Sequence, residues 1–288
     1  MIEIIGGIGT THVPAIGKAI ADGRQNDPYW KPFFDGFGCV HAWLAAHKPD
    51  TAIVFSNDHG LNFFLDKLPT FAVGAASEYH SEDEGWGIPV SQPAAGDPDL
   101  SWHLINGLVD DEFDITMCQQ MLIDHAITIP LSLMWPGRKP WPIRIVPVSI
   151  NTVQHPLPSP RRCLALGRSI GPALQSFQGN RRVVVIGTGG LSHQLDGERA
   201  GFINKEFDQL SMDKIVSDPD ALTEYSIEDM VRLAGAQGVE LLNWIAMRGV
   251  LGGTVTEAHR NYHIPISNTA AATLVLDHTP ATAMRSAA

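Results

Sequence analysis

Three short, almost wholly apolar runs constrain the fold more than any other feature: IEIIGGIG at 2–9, TAIVFS at 51–56 and RRVVVIG at 181–187. Their length and β-branched content read as strands. A histidine follows each run within a few residues, at His12, His59 and His193. In an open α/β sheet, loops leaving the carboxyl ends of the strands converge on one crevice, and ligands bind there. Three imidazoles delivered by that route predict one metal or acid/base site built from distant segments, and therefore an enzyme.

The remaining pattern supports such a sheet. Further strands are predicted near 69–74, 113–118 and 143–150, and helices near 28–47, 97–109, 124–135, 161–176, 201–217, 227–234, 238–249 and 266–275. Asp97-Pro98 and Ser159-Pro160 place proline where a helix start favours it. Alternating strands and helices predict a single layered α/β/α domain with a central mixed sheet over residues 1–280, and 281–288 read as a flexible tail. Residues 77–97, rich in acidic side chains, Gly and Pro, form the longest irregular stretch, and a loop of that length in a compact domain is usually functional or mobile.

Composition removes several classes of function. With 288 residues, 44% of them hydrophobic and 18% charged, the chain can bury a sizeable core. A formal charge of −11 without a Lys/Arg cluster argues against nucleic acid and against anionic membranes as partners. No apolar stretch approaches the roughly 20 residues of a membrane span. The start, MIEIIGGIG, lacks the basic region of a signal peptide and reads as a first strand. Cys39, Cys118 and Cys163 are odd in number and widely spaced, which fits neither a zinc motif nor a disulfide framework and predicts reduced thiols in the cytoplasm.

Each candidate residue carries two readings. His12, in GTTHVPAIG, reads on its own as a structural or surface loop residue; His59, in FSNDHG, sits in a turn that can aim its ring into a crevice, although most such Asp-His pairs are solvated turn residues. Glu240 lies in GVELLNWIAMRG, a helix apolar almost all round, with Trp244 and Met247 on its face. A carboxylate there needs a partner, because desolvating an unpaired charge costs several kcal/mol. Arg248 or Lys205 could be that partner, and so could a metal. Two histidines and one carboxylate form a facial triad that leaves positions open on Fe(II), and the same set holds catalytic zinc.

His193 follows a strand ending in Gly-Thr-Gly-Gly, a backbone that something approaches closely. No GKS/T ending or GxGxxG frame supports a nucleotide, and no GxSxG elbow supports Ser192 as a nucleophile. An acid/base histidine is the better reading. His125, in MLIDHAITIP, is either a buried structural residue or a substrate contact. Ser267 and Asn268 precede an Ala-rich segment; they either cap the helix expected there or offer donors to a carboxylate. His41, His47, His80, His103, His155, His259 and His278 read as surface or structural.

GTTHVPA (9–15), SNDHG (56–60), DEGWG (83–87), the Asp-His of 124–125, GTGGLSHQL (187–195), AGFINKEFD (200–208), GVELLNWIAMRG (238–249) and YHIPISNTA (262–270) occur in order over nearly the whole chain. Together they resemble the class III extradiol ring-cleaving dioxygenases, as in the large catalytic β subunit of protocatechuate 4,5-dioxygenase. The resemblance implies a mononuclear Fe(II) held by His12, His59 and Glu240, with His193 as acid/base and His125 lining the pocket. It implies that Asn57, Ser267 and Asn268 hold a catecholic acid, and that O2 opens the ring outside the diol pair, giving 4-carboxy-2-hydroxymuconate semialdehyde from protocatechuate. Gallate is an alternative substrate, and a zinc hydrolase with the same ligands is an alternative class. A separate small α subunit, in an α2β2 assembly, is the implied partner.

Overall fold

A computed structural model describes residues 1–266 and 268–279. Along the chain run β1 (Ile2–Thr10), α1 (Pro14–Ala21), α2 (Lys31–Asp35), α3 (Phe37–His47), β2 (Thr51–Ser56), β3 (Phe71–Gly74), β4 (Glu78–Tyr79), β5 (Ala94–Ala95), α4 (Pro98–Asp110) and β6 (Thr116–Cys118). There follow α5 (His125–Met134), β7 (Arg144–Ile150), α6 (Pro160–Ser176), β8 (Arg181–Thr188), α7 (Lys205–Ser217), α8 (Ile227–Ala234), α9 (Leu241–Leu251), β9 (Thr254–Ile266) and β10 (Thr269–Thr279).

Eight of these strands form one mixed sheet in the order β6-β3-β7-β2-β8-β1-β10-β9. β2, β8 and β1 lie side by side and parallel, so their carboxyl ends share one edge. The period of two along each strand sorts side chains between two cores. Ile53, Phe55, Val183 and Val185 face the helices α4, α6, α7 and α9; Ala52, Val54, Val184 and Ile186 face α1, α2, α3 and α5. The expected α/β/α layering with a central mixed sheet is thus observed. Both proline-marked helix starts also hold: Asp97 and Ser159 cap α4 and α6, accepting from the backbone N–H of Leu100 and Arg162.

The sequence reading predicts neither α1 nor β4, β5 and β9, and three of its expected helices differ from the structure. Within the segment expected as a helix over 266–275, residues 269–275 belong to strand β10. Alanine favours helix, but the backbone of this segment is claimed on both sides, by β9 on one and by β1 and residues 191–192 on the other. Tertiary pairing outweighs a propensity worth a few tenths of a kcal/mol per residue. Asn268 therefore lies in the β9–β10 turn and caps no helix, while Ser267 and the expected tail at 281–288 lie outside the described residues. The helix expected over 28–47 is divided at Gly36, where an added Cβ would meet the Asn261 amide. Its first residues form turns, and the helix expected from 201 begins at Lys205, capped by the Asn204 side chain.

The glycines of β1 and β8 position α9. A Cβ at Gly7 would stand 2.6 Å from the Met247 sulfur, at Gly9 2.4 Å from the Trp244 ring, and at Gly187 2.8 Å from the Asn243 carbonyl oxygen. Without those carbons the helix lies directly on the strands. Glu240, in the 3-10 turn Gly238–Glu240 that leads into α9, is thereby set at the edge where β1 and β8 end.

Candidate metal centre

Just beyond that shared edge, His12, His59 and His193 do converge. His12 leaves β1 with its Nδ1 3.1 Å from the Thr188 hydroxyl at the end of β8, and its Nε2 3.3 Å from Glu240 Oε1. His59 leaves β2 through a loop organised by Asp58, whose carboxylate accepts from the backbone N–H of Gly60, Asn62 and Phe63. Its Nε2 lies 3.7 Å from the same Glu240 oxygen. Two imidazole nitrogens from separate strands thus share one carboxylate oxygen.

Each ring is held from behind. Asp124 Oδ2 accepts from the His59 backbone N–H at 2.7 Å and from Nδ1 at 2.9 Å, while Oδ1 accepts from Ala126 N–H at the start of α5. A carboxylate on Nδ1 turns Nε2 toward Glu240 and the Asn57 amide, the orientation of carboxylate–histidine–metal arrangements. Burial alone would lower the His59 pKa, but the charge and hydrogen bond of Asp124, joined by Glu240, raise it to about 10. Asp124, whose ionisation burial opposes, is held well below the usual carboxylate range by His59 and, more weakly, His125.

Glu240 is 6% exposed. Its Oε2 accepts from Gly190 N–H at 2.9 Å, and its Oε1 from the Asn57 amide at 3.2 Å. Burial resists its charge, and His12, His59 and His193 hold the carboxyl well below its ordinary range. Arg248, a candidate partner in the sequence, instead donates to the carbonyls of Ile215, Gly252 and Gly253. Among the described residues the ionisable side chains within 4 Å of Glu240 are imidazoles alone. A buried anion faced by imidazole nitrogens from two separate strands is a donor set that a divalent cation can bind, so these residues fit such a metal.

The Gly-Thr-Gly-Gly backbone is approached closely, as its sequence suggests, and the approaching group is Glu240. A Cβ at Gly189 would lie 2.7 Å from the Glu240 carboxylate and 3.0 Å from His12 Cε1. His193 is buried with Nδ1 2.9 Å from the Leu191 carbonyl. Because a carbonyl only accepts, Nδ1 carries the proton and the basic nitrogen is Nε2, 3.7 Å from Glu240 Oε2. Ser192 is turned away, donating to Asp208 at 2.7 Å. The backbone of His193 bridges Thr269, which brings the turn containing Asn268 alongside the site.

His125 begins α5, and its ring lies 4.0 Å from that of His59 and 5.4 Å from that of His12, centroid to centroid. The three imidazoles bring one ligand-capable atom each within 4.8 Å of the others. Burial, with repulsion from His59 and His12, lowers the His125 pKa despite the hydrogen bond that its ring donates to Glu84. Asn57 lies inside the donor cluster, with its amide nitrogen 3.0 Å from His59 Nε2. The anchors Asp124, Thr188 and Glu84 were not singled out from the sequence, although all three fall within its motifs. A cavity of about 580 Å³ lined by Phe34, Phe37, Ile88, Trp135 and Trp141 lies elsewhere, and none of the clustered histidines lines it. Donor chemistry, not volume, marks the site.

Comparison with known proteins agrees with this geometry. Residues 6–272 match the family described as the catalytic LigB subunit of aromatic ring-opening dioxygenase. A gallate dioxygenase of Pseudomonas putida is 38% identical over 196 residues, covering 68% of this chain and 57% of that protein. A 2,3-dihydroxyphenylpropionate/2,3-dihydroxicinnamic acid 1,2-dioxygenase of Dechloromonas aromatica is 25% identical over 271 residues, covering 78% and 84%. The chain thus spans little more than half the length of the first of these. The solved structure of an uncharacterized protein from Escherichia coli K12 superposes with a TM-score of 0.54 at 12% identity, covering 93% of this chain and 99% of that one, and shares the fold. No helix among the described residues is long and apolar enough to cross a membrane.

Proposed function

The chain belongs to the LigB family of aromatic ring-opening dioxygenases, and from that premise we propose that it is an extradiol dioxygenase cleaving a catecholic acid at a mononuclear Fe(II) site. One observation carries the reading: the shared Glu240 oxygen, 3.3 and 3.7 Å from the Nε2 atoms of His12 and His59. His12, His59 and Glu240 would hold the iron, the facial triad of two histidines and one carboxylate. Iron bound there would supply Lewis-acid and redox chemistry toward a diol and O2.

The chain's own residues handle protons and position. His193 Nε2 takes the proton from a substrate hydroxyl and returns it as the ring opens, its Nδ1–H tied to Leu191 throughout. His125 borders the same space with its ring held by Glu84. Asn57 orients Glu240 through its amide. Ser267 and Asn268 would meet the substrate carboxylate, a role that the nearness of the β9–β10 turn to His193 supports for Asn268.

The substrate in this reading is protocatechuate, giving 4-carboxy-2-hydroxymuconate semialdehyde. Gallate is a second reading, favoured by the 38% identity to a gallate dioxygenase. Trp86, more than half exposed with its ring 6.2 Å from that of His125, and Leu195, equally exposed two residues after His193, offer apolar surface that a small α subunit would cover. The three cysteines are free, which supports a reducing compartment such as the cytoplasm. One catalytic domain over 1–280 accommodates every residue of the site.

The test is anaerobic loading with Fe(II), followed by air and either protocatechuate or gallate. Stoichiometric O2 uptake and a yellow ring-fission product are expected. Hydrolytic activity with zinc under anaerobic conditions, and none with iron and O2, would overturn the reading.

A further inference from the structure

Residues 81–91 form a loop pinched at its base, where the hydroxyls of Ser81 and Ser91 lie 2.8 Å apart and Ser91 N–H donates to Ser81 Oγ at 3.0 Å. Two left-handed glycines, Gly85 and Gly87, flank Trp86, and Asp83 caps the turn by accepting from Gly85 N–H. The consequence is that one side chain of an otherwise exposed loop, Glu84, is driven inward until only 14% of it remains exposed.

There it makes two bonds to one residue. Glu84 Oε1 accepts from the His125 backbone N–H at 2.8 Å and Oε2 from His125 Nδ1 at 2.5 Å. This repeats, on the neighbouring ring, what Asp124 does for His59. Two carboxylates at the first turn of α5 each grip a backbone N–H and an Nδ1–H, leaving two Nε2 atoms turned the other way. Asp124 belongs to the helix itself, whereas Glu84 comes from a loop some 40 residues upstream.

We propose that Glu84 is a positioning residue for the ring-opening reaction: it fixes the tautomer and orientation of His125, so that docking of the 81–91 loop completes the active site. The inference rests on the proposed dioxygenase activity and adds to it a residue that acts through His125. Helix capping alone would need only the Oε1 contact. The Oε2 contact bears on an imidazole 4% exposed, whose ring lies 4.0 Å from that of His59. A carboxylate accepts only, so Nδ1 must carry the proton and Nε2 must present its lone pair to substrate.

Glu84→Gln is the discriminating change. It keeps the shape but offers one acceptor and one donor, so the amide can cap the helix while its NH2 faces Nδ1 and permits the opposite tautomer. With iron-loaded enzyme and whichever of protocatechuate or gallate the wild type turns over, kcat/KM should fall roughly 10–100-fold, the usual effect of losing such a partner. Bound iron and melting temperature should stay unchanged. In a His125→Ala background the same substitution should add no further loss. Wild-type kcat/KM in Glu84→Gln, or an equal loss in both backgrounds, would overturn the proposal. Imidazole 15N–1H correlation spectra of the wild-type, metal-free protein test it without any variant, since a His125 protonated on Nε2 alone would refute it. A wild type inactive on both substrates would instead refute the dioxygenase reading.

Discussion

Asp124→Asn separates the support of the proposed metal site from its proposed ligands. Asp124 accepts three N–H groups, two from His59 on Oδ2 and one from Ala126 on Oδ1. An asparagine has one acceptor. With its oxygen toward His59, its NH2 faces the Ala126 N–H and the cap of α5 is lost, a cost of about 1 kcal/mol. Turned the other way, it strands both donors of His59. The first arrangement is the cheaper, and it still removes the charge that fixes His59. We therefore expect metal affinity to fall roughly 10–100-fold, about 1.4–2.8 kcal/mol, with a smaller loss of stability. Competition against a chelator under anaerobic conditions measures the first quantity and thermal melting the second. The pH dependence of the metal-free protein provides an internal check. His59 has its folded-state pKa raised to about 10 from 6.5. Its contribution to stability is thus complete below the unfolded value and is lost as pH rises toward 10. Asp124→Asn should remove most of that alkaline loss. Unchanged metal affinity together with an unchanged alkaline profile would refute the assignment of Asp124 as the anchor of His59.

Glu240→Ala should abolish iron retention and activity together, measured by metal analysis after gel filtration, because the oxygen between His12 and His59 disappears; a fully active, iron-bound variant would exclude Glu240 as a ligand. His193→Phe should leave iron bound and lower turnover roughly 10²–10⁴-fold, the contribution of a positioned acid/base, as followed by O2 uptake. Gly187→Ala places a carbon 2.8 Å from the Asn243 carbonyl oxygen and 2.9 Å from the Trp244 Cα, backbone atoms with no rotamer by which to yield. It should cost about 1–3 kcal/mol in denaturant unfolding and weaken metal retention by displacing α9.

What the sequence made legible follows from which interactions are local. Strands β1, β2 and β8 are visible because they are buried on both faces and so are apolar almost throughout, and a histidine just past each end must lie at the sheet edge wherever the helices go. Glu240 is visible because a carboxylate in an apolar helix needs a partner. The identity of that partner is not local. Arg248 was as plausible in sequence as a metal, and only the fold shows its guanidinium spent on three carbonyls. The same holds for β10: its alanines express a helix preference, and the pairing that overrides it comes from β9 and from β1, the latter some 260 residues away.

The anchors of the site were the least legible for a related reason. Asp124 and Glu84 act from 65 and 41 residues away on the rings they hold, and each also meets a helix N–H, so in sequence each passes for an ordinary cap or loop acid. The glycines of β1 and β8 pose the complementary problem. In sequence they weaken strands; in the fold, Gly7, Gly9, Gly187 and Gly189 lie beneath Met247, Trp244, Asn243 and Glu240 in turn. The spacing of that row matches the helical face that links Glu240, Trp244 and Met247. A helix resting on glycine can advance no further toward the sheet, so the depth of the carboxylate between His12 and His59 is set by backbone contact. That is a stiffer constraint than side-chain packing would supply, and it fixes the Glu240 carboxylate relative to the two histidines that follow β1 and β2.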